Sequence, residues 1–283
     1  MKKIKIQCPA KINLTLEVVN KREDGFHNIK SIMQTISLYD YLTISAKQSE
    51  ACSINLSGTS DEIPYNEKNL VYKAAKLYMD TVGMTDVALD IHIEKNIPVA
   101  AGLAGGSTDA AGTIYGLNEL FGGLNNKEVN ELCSQLGSDL NVCLQGGCLL
   151  ATSRGEVTKK LPNINYDVTL IKPKNIGISA KEAYTKYSGK ENKPKFDMTE
   201  KMLIAILDNT DIKEYLYNDL EYAVFDDYKE LQEIKKSLPN SIMSGSGSTY
   251  FVLENLGSVN LDEKYSIYRN LKFVPKGVEV VRH

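Results

Sequence analysis

The chain has 283 residues, of which 42% are hydrophobic and 24% charged, and its formal net charge is −3. These values are ordinary for a globular protein with a sizeable core in one large domain or two small ones. The slight negative charge disfavours the binding of a polyanion over a broad surface. We therefore do not expect nucleic acid to be the main partner.

The sequence shows neither a membrane segment nor a targeting segment. No apolar run reaches the roughly 20 residues that a helix needs to span a bilayer. The N-terminus carries lysines at positions 2, 3 and 5, where a signal peptide is apolar, and it is neither Arg-rich nor Ser-rich as transit peptides are. We therefore expect a cytoplasmic protein without a membrane partner.

Cysteine and histidine are sparse. The five cysteines form no Cys-x-x-Cys pair, and only three histidines are present. A zinc site needs a close cluster of such ligands. We therefore predict buried, reduced thiols rather than a zinc site.

The first segment alternates between apolar and polar residues. Apolar residues occupy the even positions of 4–8 and 12–18, and polar residues occupy the odd positions. A period of two predicts β-structure with one face on the core and one polar face. Pro9 predicts a break or bulge in this structure, and Arg22–Gly25 predicts a turn after it.

The remaining elements are predicted in mixed order, which indicates an α+β fold with a boundary near Lys159–Asn165. Residues 189–195 are predicted to form a surface loop. Further strands are predicted at 29–35, 41–46, 51–56, 87–93, 148–152, 166–172, 241–243, 250–253 and 277–281. Helices are predicted at 69–82, 107–121, 127–136, 180–187, 198–207, 220–225, 228–237 and 262–271.

A glycine-rich loop joins the predicted strand 87–93 to the predicted helix that follows it. Glycines let backbone N–H groups approach an anion, and a helix N-terminus adds unpaired N–H groups and a positive dipole end. Ser107 and Thr108 could cap the helix or bind a phosphate or a metal. The loop therefore predicts a phosphate cradle, although a tight connection without a ligand would share the pattern. Its residues are Pro98, Val99, Ala100, Ala101, Gly102, Leu103, Ala104, Gly105, Gly106, Ser107 and Thr108.

The loop does not fit the common nucleotide-binding patterns. A Walker loop requires a lysine, and this loop has none. In the dinucleotide fingerprint, Ala104 would stand where the second glycine is needed. The set of motifs that defines protein kinases is also absent from the sequence.

Two further segments are candidates for the same site. Ser244–Ser248 is a second glycine-rich turn between two predicted strands, which a simple hairpin would also explain. In Pro9–Leu14, Lys11 and Asn13 project from the polar face of the first strand pair, which is also the pattern of a solvated face.

These three segments, in this order, resemble the three motifs of the GHMP kinase superfamily, which includes galactokinase and the homoserine, mevalonate and phosphomevalonate kinases. The resemblance covers nearly the whole chain, and its most specific motif runs from Pro98 to Ala111. Within the superfamily, the chain most resembles the diphosphocytidyl-methylerythritol kinase family of the non-mevalonate (MEP) isoprenoid pathway. The segments that favour this family are Pro9–Leu14, Asp24–His27, Leu136–Asp139, Asn218–Glu221 and Met243–Gly247.

The resemblance implies a two-domain α+β fold. Residues 1–160 would form an ATP-binding domain similar to domain 2 of ribosomal protein S5, and residues 161–283 a ferredoxin-like GHMP kinase domain, with the active site in the cleft between them. The implied reaction transfers the γ-phosphoryl group of ATP to the 2-hydroxyl, a tertiary alcohol, of 4-diphosphocytidyl-2-C-methyl-D-erythritol. ATP is then a co-substrate with Mg²⁺, in the cytoplasm of a bacterium, and the protein would be a monomer or a weak homodimer.

The resemblance also implies roles for individual residues. Asp139 would be the catalytic base, with Lys11 beside it to balance charge near the transferring group. The adenine pocket would lie between Tyr65 and Ser107, and Ser107 is the candidate metal ligand. The implied substrate-binding residues are Asn13 at the polar end and Phe26, His27 and Tyr184 around the cytosine, and the second glycine turn contributes Gly245, Ser246 and Gly247.

The chain departs from the family pattern at four positions. Ala104 and Asp109 replace a glycine and an asparagine that are common in the glycine loop, and both look tolerable. Ser248 replaces a frequent proline, and we expect this change to loosen the second turn. Ala180 falls where a threonine often contacts the substrate, and alanine has no hydroxyl for that contact.

Two alternative functions stay open at this point. One is a GHMP kinase for another small alcohol, of the homoserine or mevalonate type, and Phe26 with His27 argues against it. The other is a noncatalytic nucleotide- or RNA-binding protein with an S5-like fold, and the net charge together with Lys11 and Asp139 argues against that.

Overall fold

The structure is a computed structural model that describes residues 1–190, 196–259 and 261–282. Most of the loop predicted at 189–195 therefore lies outside the described residues. The strands are β1 (Lys2–Asn13), β2 (Thr15–Lys21), β3 (His27–Gln48), β4 (Ser53–Gly58), β5 (Val87–Glu94), β6 (Cys148–Ser153), β7 (Val157–Lys160), β8 (Asp167–Pro173), β9 (Tyr217–Asn218), β10 (Ile242–Met243), β11 (Tyr250–Val252), β12 (Tyr265–Lys272) and β13 (Glu279–Val280). The helices are α1 (Leu70–Val82), α2 (Gly105–Phe121), α3 (Asn126–Leu136), α4 (Leu140–Gln145), α5 (Ala180–Gly189), α6 (Met198–Leu207), α7 (Asp219–Val224) and α8 (Lys229–Ser237).

The first sheet is organised around the 22-residue strand β3, which pairs antiparallel with β1, β2, β5 and β6. The β1–β3 register shifts between Pro9 and Ala10, so the bulge predicted at Pro9 is confirmed. The predicted turn is confirmed as well, because the Gly25 N–H donates to the Arg22 carbonyl at 3.2 Å.

Helix α2 packs directly on β1, and glycines make the close approach possible. A Cβ at Gly112 would lie 2.4 Å from the Cys8 Sγ, and a Cβ at Gly116 would lie 2.9 Å from a side-chain carbon of Ile6. Glycine at both positions therefore lets the helix lie against the sheet, and the largest apolar cluster forms between them.

Strand β1 is buried on both faces from Cys8 to its end, including Lys11 and Asn13. The alternative interpretation of Lys11 and Asn13 as part of a solvated face is therefore excluded. The reason is tertiary, because the glycine loop covers the strand and the Lys11 N–H donates to the Leu103 carbonyl at 3.1 Å.

The second sheet has the order β10-β11-β8-β12 and is antiparallel throughout. Two short strands from the same half of the chain join the first sheet instead, β9 beside β2 and β13 beside β1. One apolar cluster combines Ile12 and Ala101 with Leu170 and Phe251, so the N-terminal and C-terminal halves of the chain contribute to a common hydrophobic core. A domain division between residues 160 and 161 stays a prediction.

One predicted element is wrong in type. Residues 262–271 were predicted as helical, but Tyr265–Lys272 forms β12, which pairs with β8 and contains an irregularity between Tyr268 and Leu271. Pairing in the sheet outweighs the weak helical spacing of this segment. The prediction from sequence also misses α4 and β7, which are short. It divides the single strand β3 into two strands, at 29–35 and 41–46.

Candidate active site

A cavity of about 1000 Å³ lies among the glycine loop, the end of β1, the turn before β3, helix α5 and the second glycine turn. It brings together every candidate residue from the sequence except Thr108, which is fully buried in α2, and Gly247. The candidates that line it are Lys11, Asn13, Phe26, His27, Pro98, Val99, Ala100, Ala101, Gly102, Leu103, Ala104, Gly105, Gly106, Ser107, Asp139, Tyr184, Gly245 and Ser246.

The glycine loop turns through left-handed backbone conformations before α2 begins. Gly102 has a φ of +74°, and a Cβ there would lie 2.0 Å from the Ser244 carbonyl oxygen, so only glycine fits. Ala104 has a φ of 59° in spite of its methyl group, and this conformation costs roughly 1–2 kcal/mol for a residue with a Cβ. Alanine in place of the family's glycine at position 104 therefore preserves the turn but strains the backbone there.

Helix α2 begins at Gly105, with Ala104 as its N-cap and no side-chain capping hydrogen bond. Of the two roles considered for Ser107 and Thr108, capping of this helix is therefore excluded, and binding of a phosphate or a metal stays a prediction. The N–H groups of the first turn have no acceptor within the helix. Since Gly105, Gly106 and Ser107 line the cavity, these N–H groups and the helix dipole suit the binding of phosphate.

The second glycine turn is bonded directly to the first loop. The Ser244 hydroxyl donates to the Gly102 carbonyl at 3.0 Å, and the Thr249 N–H donates to the Ala101 carbonyl at 3.3 Å. A Cβ at Gly245 would lie 3.2 Å from the Lys11 Nζ. The two turns and the end of β1 thus form one bonded unit.

Lys11 lies between an amide and a carboxylate at the floor of the cavity. Its Nζ donates to the Asn13 Oδ1 at 2.7 Å and lies 3.4 Å from the Asp139 Oδ2. The Asn13 amide in turn donates to the Ser31 hydroxyl at 2.9 Å. The Lys11 side chain is 4% exposed and that of Asp139 is 31% exposed, so the carboxylate faces the open cavity while the ammonium is held behind it.

Asp139 is the N-cap of α4, but its side chain makes no capping hydrogen bond. Helix α3 ends at Gly137, whose N–H donates to the Cys133 carbonyl, and the short connection to α4 carries Asp139 into the cavity. A carboxylate beside a fixed cation can orient a hydroxyl group and accept its proton.

Aromatic rings line the far end of the cavity. The rings of His27 and Tyr184 stack with centroids 5.0 Å apart and an interplanar angle of 17°, and the His27 Nε2 lies 2.9 Å from the Ser188 Oγ. Phe26 is 53% exposed, and the Arg154 guanidinium lies 5.2 Å from its ring centroid. Burial, with a smaller effect of Asp139, raises the pKa of Tyr184, so this phenol stays neutral at ordinary pH.

Sequence reasoning missed a buried cluster beneath the glycine loop. The Lys95 Nζ hydrogen-bonds to the Asp40 carboxylate and lies 3.3 Å from the Asp109 Oδ2. Burial and the neighbouring Asp40 raise the pKa of Asp109 to about 8 against the opposing effect of Lys95. Asp109 therefore keeps its proton near neutral pH more readily than an exposed carboxyl group does. Lys95 and Asp109 line the cavity, and no local pattern joins the three residues.

The wall of the cavity beside the glycine loop includes the start of α1. Asn69 caps this helix, with its Oδ1 accepting from the Val71 N–H at 2.9 Å and its amide donating to the Pro64 carbonyl at 2.6 Å. The apolar side chains of Ile63, Pro64 and Leu70 line the same wall. These residues fall at or near the stretch between Tyr65 and Ser107, where the adenine pocket is expected.

The described residues contain no group of three or more His, Cys, Asp or Glu that could hold a metal ion. Ser107, the candidate metal ligand, lies in the first turn of α2 and faces the cavity. Within the same part of the chain, no helix is both long enough and apolar enough to cross a membrane.

Known proteins are similar to this chain in sequence and in fold. The family model described as GHMP kinases N terminal domain matches residues 69–147. The 4-diphosphocytidyl-2-C-methyl-D-erythritol kinase of Clostridium tetani is 38% identical over 258 residues, which cover 88% of this chain and 90% of that protein. The protein of the same name from Caldanaerobacter subterraneus is 37% identical over 280 residues, or 96% of this chain and 94% of that protein.

Solved structures agree with the sequence comparison. A crystal structure of 4-(cytidine 5'-diphospho)-2C-methyl-D-erythritol kinase is 29% identical, with a TM-score of 0.73 over 88% of this chain and 90% of that chain. A homoserine kinase from Cytophaga hutchinsonii is 17% identical, with a TM-score of 0.75 over 99% of this chain and 98% of that chain, and this likeness shows a shared fold only.

The two-sheet α+β fold and the glycine loop over the cavity are those of a GHMP kinase. At 36–39% identity over most of its length, the chain belongs to the 4-diphosphocytidyl-2-C-methyl-D-erythritol kinase family. The resemblance seen in the sequence and the predicted fold class are therefore confirmed, and so is the prediction of a kinase.

Proposed function

We propose that this kinase transfers the γ-phosphoryl group of ATP to the 2-hydroxyl of 4-diphosphocytidyl-2-C-methyl-D-erythritol, in the MEP route to isoprenoid precursors. The observation that carries the proposal is that one cavity joins a phosphate-binding loop, the Lys11–Asp139 pair and an aromatic end. The names of the relatives agree with this substrate.

The donor nucleotide occupies the side of the cavity formed by α1 and α2. Its phosphates accept hydrogen bonds from the N–H groups at the start of α2, where the helix dipole favours negative charge. The adenine ring lies against Ile63, Pro64 and Leu70, which are apolar and line the same wall.

The Ser107 hydroxyl, in the first turn of α2, is the protein group that would hold the Mg²⁺ that accompanies ATP in this proposal. When bound, the ion would supply positive charge against the phosphate charge that develops during transfer. This arrangement fits a cavity whose described residues hold no cluster of three metal-binding side chains.

Asp139 and Lys11 act on the acceptor alcohol. The hydroxyl oxygen forms the new bond to the γ-phosphorus, and the bond from the γ-phosphorus to the bridging oxygen breaks, so ADP leaves with the electron pair. The hydroxyl proton passes to the Asp139 carboxylate late in a loose transition state. Lys11, fixed at 3.4 Å from that carboxylate, offsets the negative charge near the transferring group.

The cytosine of the substrate binds at the aromatic end. Its flat ring stacks on an aromatic side chain, for which Phe26 and Tyr184 are the candidates, and its edge hydrogen-bonds to the His27 imidazole. Asn13 holds the polar end of the acceptor near Lys11. In this proposal the enzyme acts in the bacterial cytoplasm as a monomer or weak homodimer, with residues 1–160 and 161–283 as its domains.

A panel of acceptors tests the proposal. ATP consumption is measured by a coupled assay with 4-diphosphocytidyl-2-C-methyl-D-erythritol, homoserine and mevalonate, each at matched concentration. The proposal expects turnover with the cytidylyl substrate alone. Turnover with homoserine or mevalonate instead would assign the chain to another acceptor, and salt-sensitive RNA binding without ATP consumption would overturn the kinase assignment.

A further inference from the structure

Asn218 binds the second glycine turn and is not among the residues that line the cavity. Its amide nitrogen donates to the Met243 carbonyl at 2.6 Å and to the Gly245 carbonyl at 2.8 Å. Its Oδ1 accepts from the Leu220 N–H at 2.8 Å and so caps α7. Only 3% of the residue is exposed, so all three hydrogen bonds are shielded from water. The loss of any one of them would destabilise the fold, because a buried polar group would be left without a partner.

Two neighbours of Asn218 anchor the same segment. The Glu221 Oε2 accepts from the Met243 N–H at 2.9 Å. Met243, at the end of β10, is therefore bonded both to the N-cap of α7 (Asn218) and to Glu221 within that helix. The Asp219 Oδ2 accepts from the Val18 N–H at 2.6 Å, which ties the start of α7 to β2. The segment thus links the turn to the strand that continues from Lys11 and Asn13.

The turn held by Asn218 lies against the groups assigned to catalysis. An added Cβ at Gly245 would be 3.2 Å from the Lys11 Nζ and 3.3 Å from the Asn13 Oδ1. On its other side, the turn bonds to the glycine loop through the Ser244 hydroxyl. A shift of the Gly245 carbonyl would therefore move the backbone that separates the phosphate side of the cavity from Lys11.

We infer that Asn218 is a positioning residue for phosphoryl transfer, whose amide fixes the second glycine turn between the glycine loop and Lys11. This inference rests on the proposed function, since it concerns the distance between the γ-phosphate and the acceptor hydroxyl. Asn218 is buried and does not line the cavity. It acts by holding the Met243 and Gly245 carbonyls in place, and small displacements at a reacting centre have large effects on rate.

The substitution Asn218→Ser separates this role from helix capping. Serine is as good an N-cap as asparagine, but its hydroxyl cannot donate to two carbonyls at once. We expect kcat to fall by about 10- to 100-fold. The stoichiometry of nucleotide binding should be unchanged, and both KM values should stay within about threefold of wild type. The matched control is Asn118→Ser, because the Asn118 amide fixes the loop at Leu124, outside the cavity, and its loss should leave kcat unchanged.

Asn218→Asp provides a second, independent readout. An ionised carboxylate would place an oxygen against two carbonyl oxygens, whereas the protonated acid can donate to one of them. We therefore expect the ratio of variant to wild-type kcat to rise as the pH falls. The nearby charged groups are the same in both proteins, so their titration cancels in the ratio; they are Lys11 on β1, Asp219 and Glu221 on α7, and Lys235 on α8.

The outcomes separate this inference from the proposed function. A folded Asn218→Ser variant with kcat within about twofold of wild type overturns the positioning role. If that variant does not fold, a pH-independent ratio for Asn218→Asp overturns it. If wild type fails with the cytidylyl substrate, the proposed function fails, and the same ratios are measured with the alcohol that wild type accepts.

Discussion

The Asp139 carboxylate lies 3.4 Å from the Lys11 ammonium, although one residue precedes the short helix α4 and the other belongs to the first strand. The contact pairs a partly exposed carboxylate with a buried ammonium that is already bonded to Asn13. Asp139 is therefore the member of the pair that can reach a substrate, and Lys11 is the member that the fold holds fixed.

Replacement of this carboxylate by an amide tests its role. We expect Asp139→Asn to lower kcat by on the order of 10²–10⁴, because an amide is a far weaker proton acceptor, while the Kd for ATP changes little. Steady-state kinetics and a nucleotide titration measure the two quantities. Asp197→Asn is the matched control, since Asp197 is also an N-cap whose side chain makes no capping bond. Near-normal turnover of Asp139→Asn would rule out the assignment as base.

Lys11 and Asp139 should behave as one unit. Lys11→Met keeps much of the side-chain volume but removes the charge and leaves the Asn13 Oδ1 without this donor, so kcat should also fall strongly. Groups that act together are non-additive, and the double variant should lose little more than the worse single variant. A double-mutant cycle on kcat measures the coupling. Losses that multiply would show that the two residues act independently.

The glycine loop was predictable from sequence because glycine and proline mark particular backbone conformations in a short stretch of residues. The strand, the glycine loop and the helix that begins near Gly105 follow one another within a short segment, and Pro9 marks its bulge directly. Lys11 and Asp139 carry no such signature, since a polar strand face and a residue after a helix are common. Only the resemblance to a family selected these two residues.

The rest of the site depends on contacts between distant segments. Lys95 meets Asp40 and Asp109 only because β3, β5 and α2 come together, and Asn218 reaches Gly245 only because β9 pairs with β2. The strand β12 was wrongly predicted as a helix because its strand conformation comes from pairing with β8, which is distant in sequence. No window of local sequence contains that information.

The aromatic end should determine the affinity for the cytidylyl substrate and not that for ATP. Removal of the His27 ring takes away a hydrogen-bonding edge and the partner that stacks on Tyr184. A hydrogen bond to the base edge contributes about 0.5–1.5 kcal/mol, so His27→Ala should raise the KM for the cytidylyl substrate by roughly 2- to 12-fold. The KM for ATP should change little.

A surface histidine provides the control for that measurement. His92 lies on β5 and contacts the Ser57 hydroxyl, and neither residue lines the cavity. His92→Ala should change neither Michaelis constant. An equal rise of both constants in His27→Ala would indicate a folding defect and contradict the assignment of the aromatic end.

Stability should decrease with rising pH through the buried Asp109. Its pKa is raised to about 8 in the folded chain by burial and by Asp40, from 3.8 in the unfolded chain. Between these values the folded chain retains a proton that the unfolded chain releases, so the free energy of unfolding falls as the pH rises. Asp109→Asn removes this linkage and keeps a side-chain oxygen for Lys95. Between pH of about 6 and about 9, the free energy of unfolding of the variant, measured by chemical denaturation, should fall by about 1–3 kcal/mol less than that of wild type.

The exposed Asp86, bonded to Gln48, provides the control Asp86→Asn, which should keep the wild-type dependence of stability on pH. Parallel curves for wild type and Asp109→Asn would show that Asp109 is ionised in the folded chain throughout this range, with Lys95 outweighing its burial.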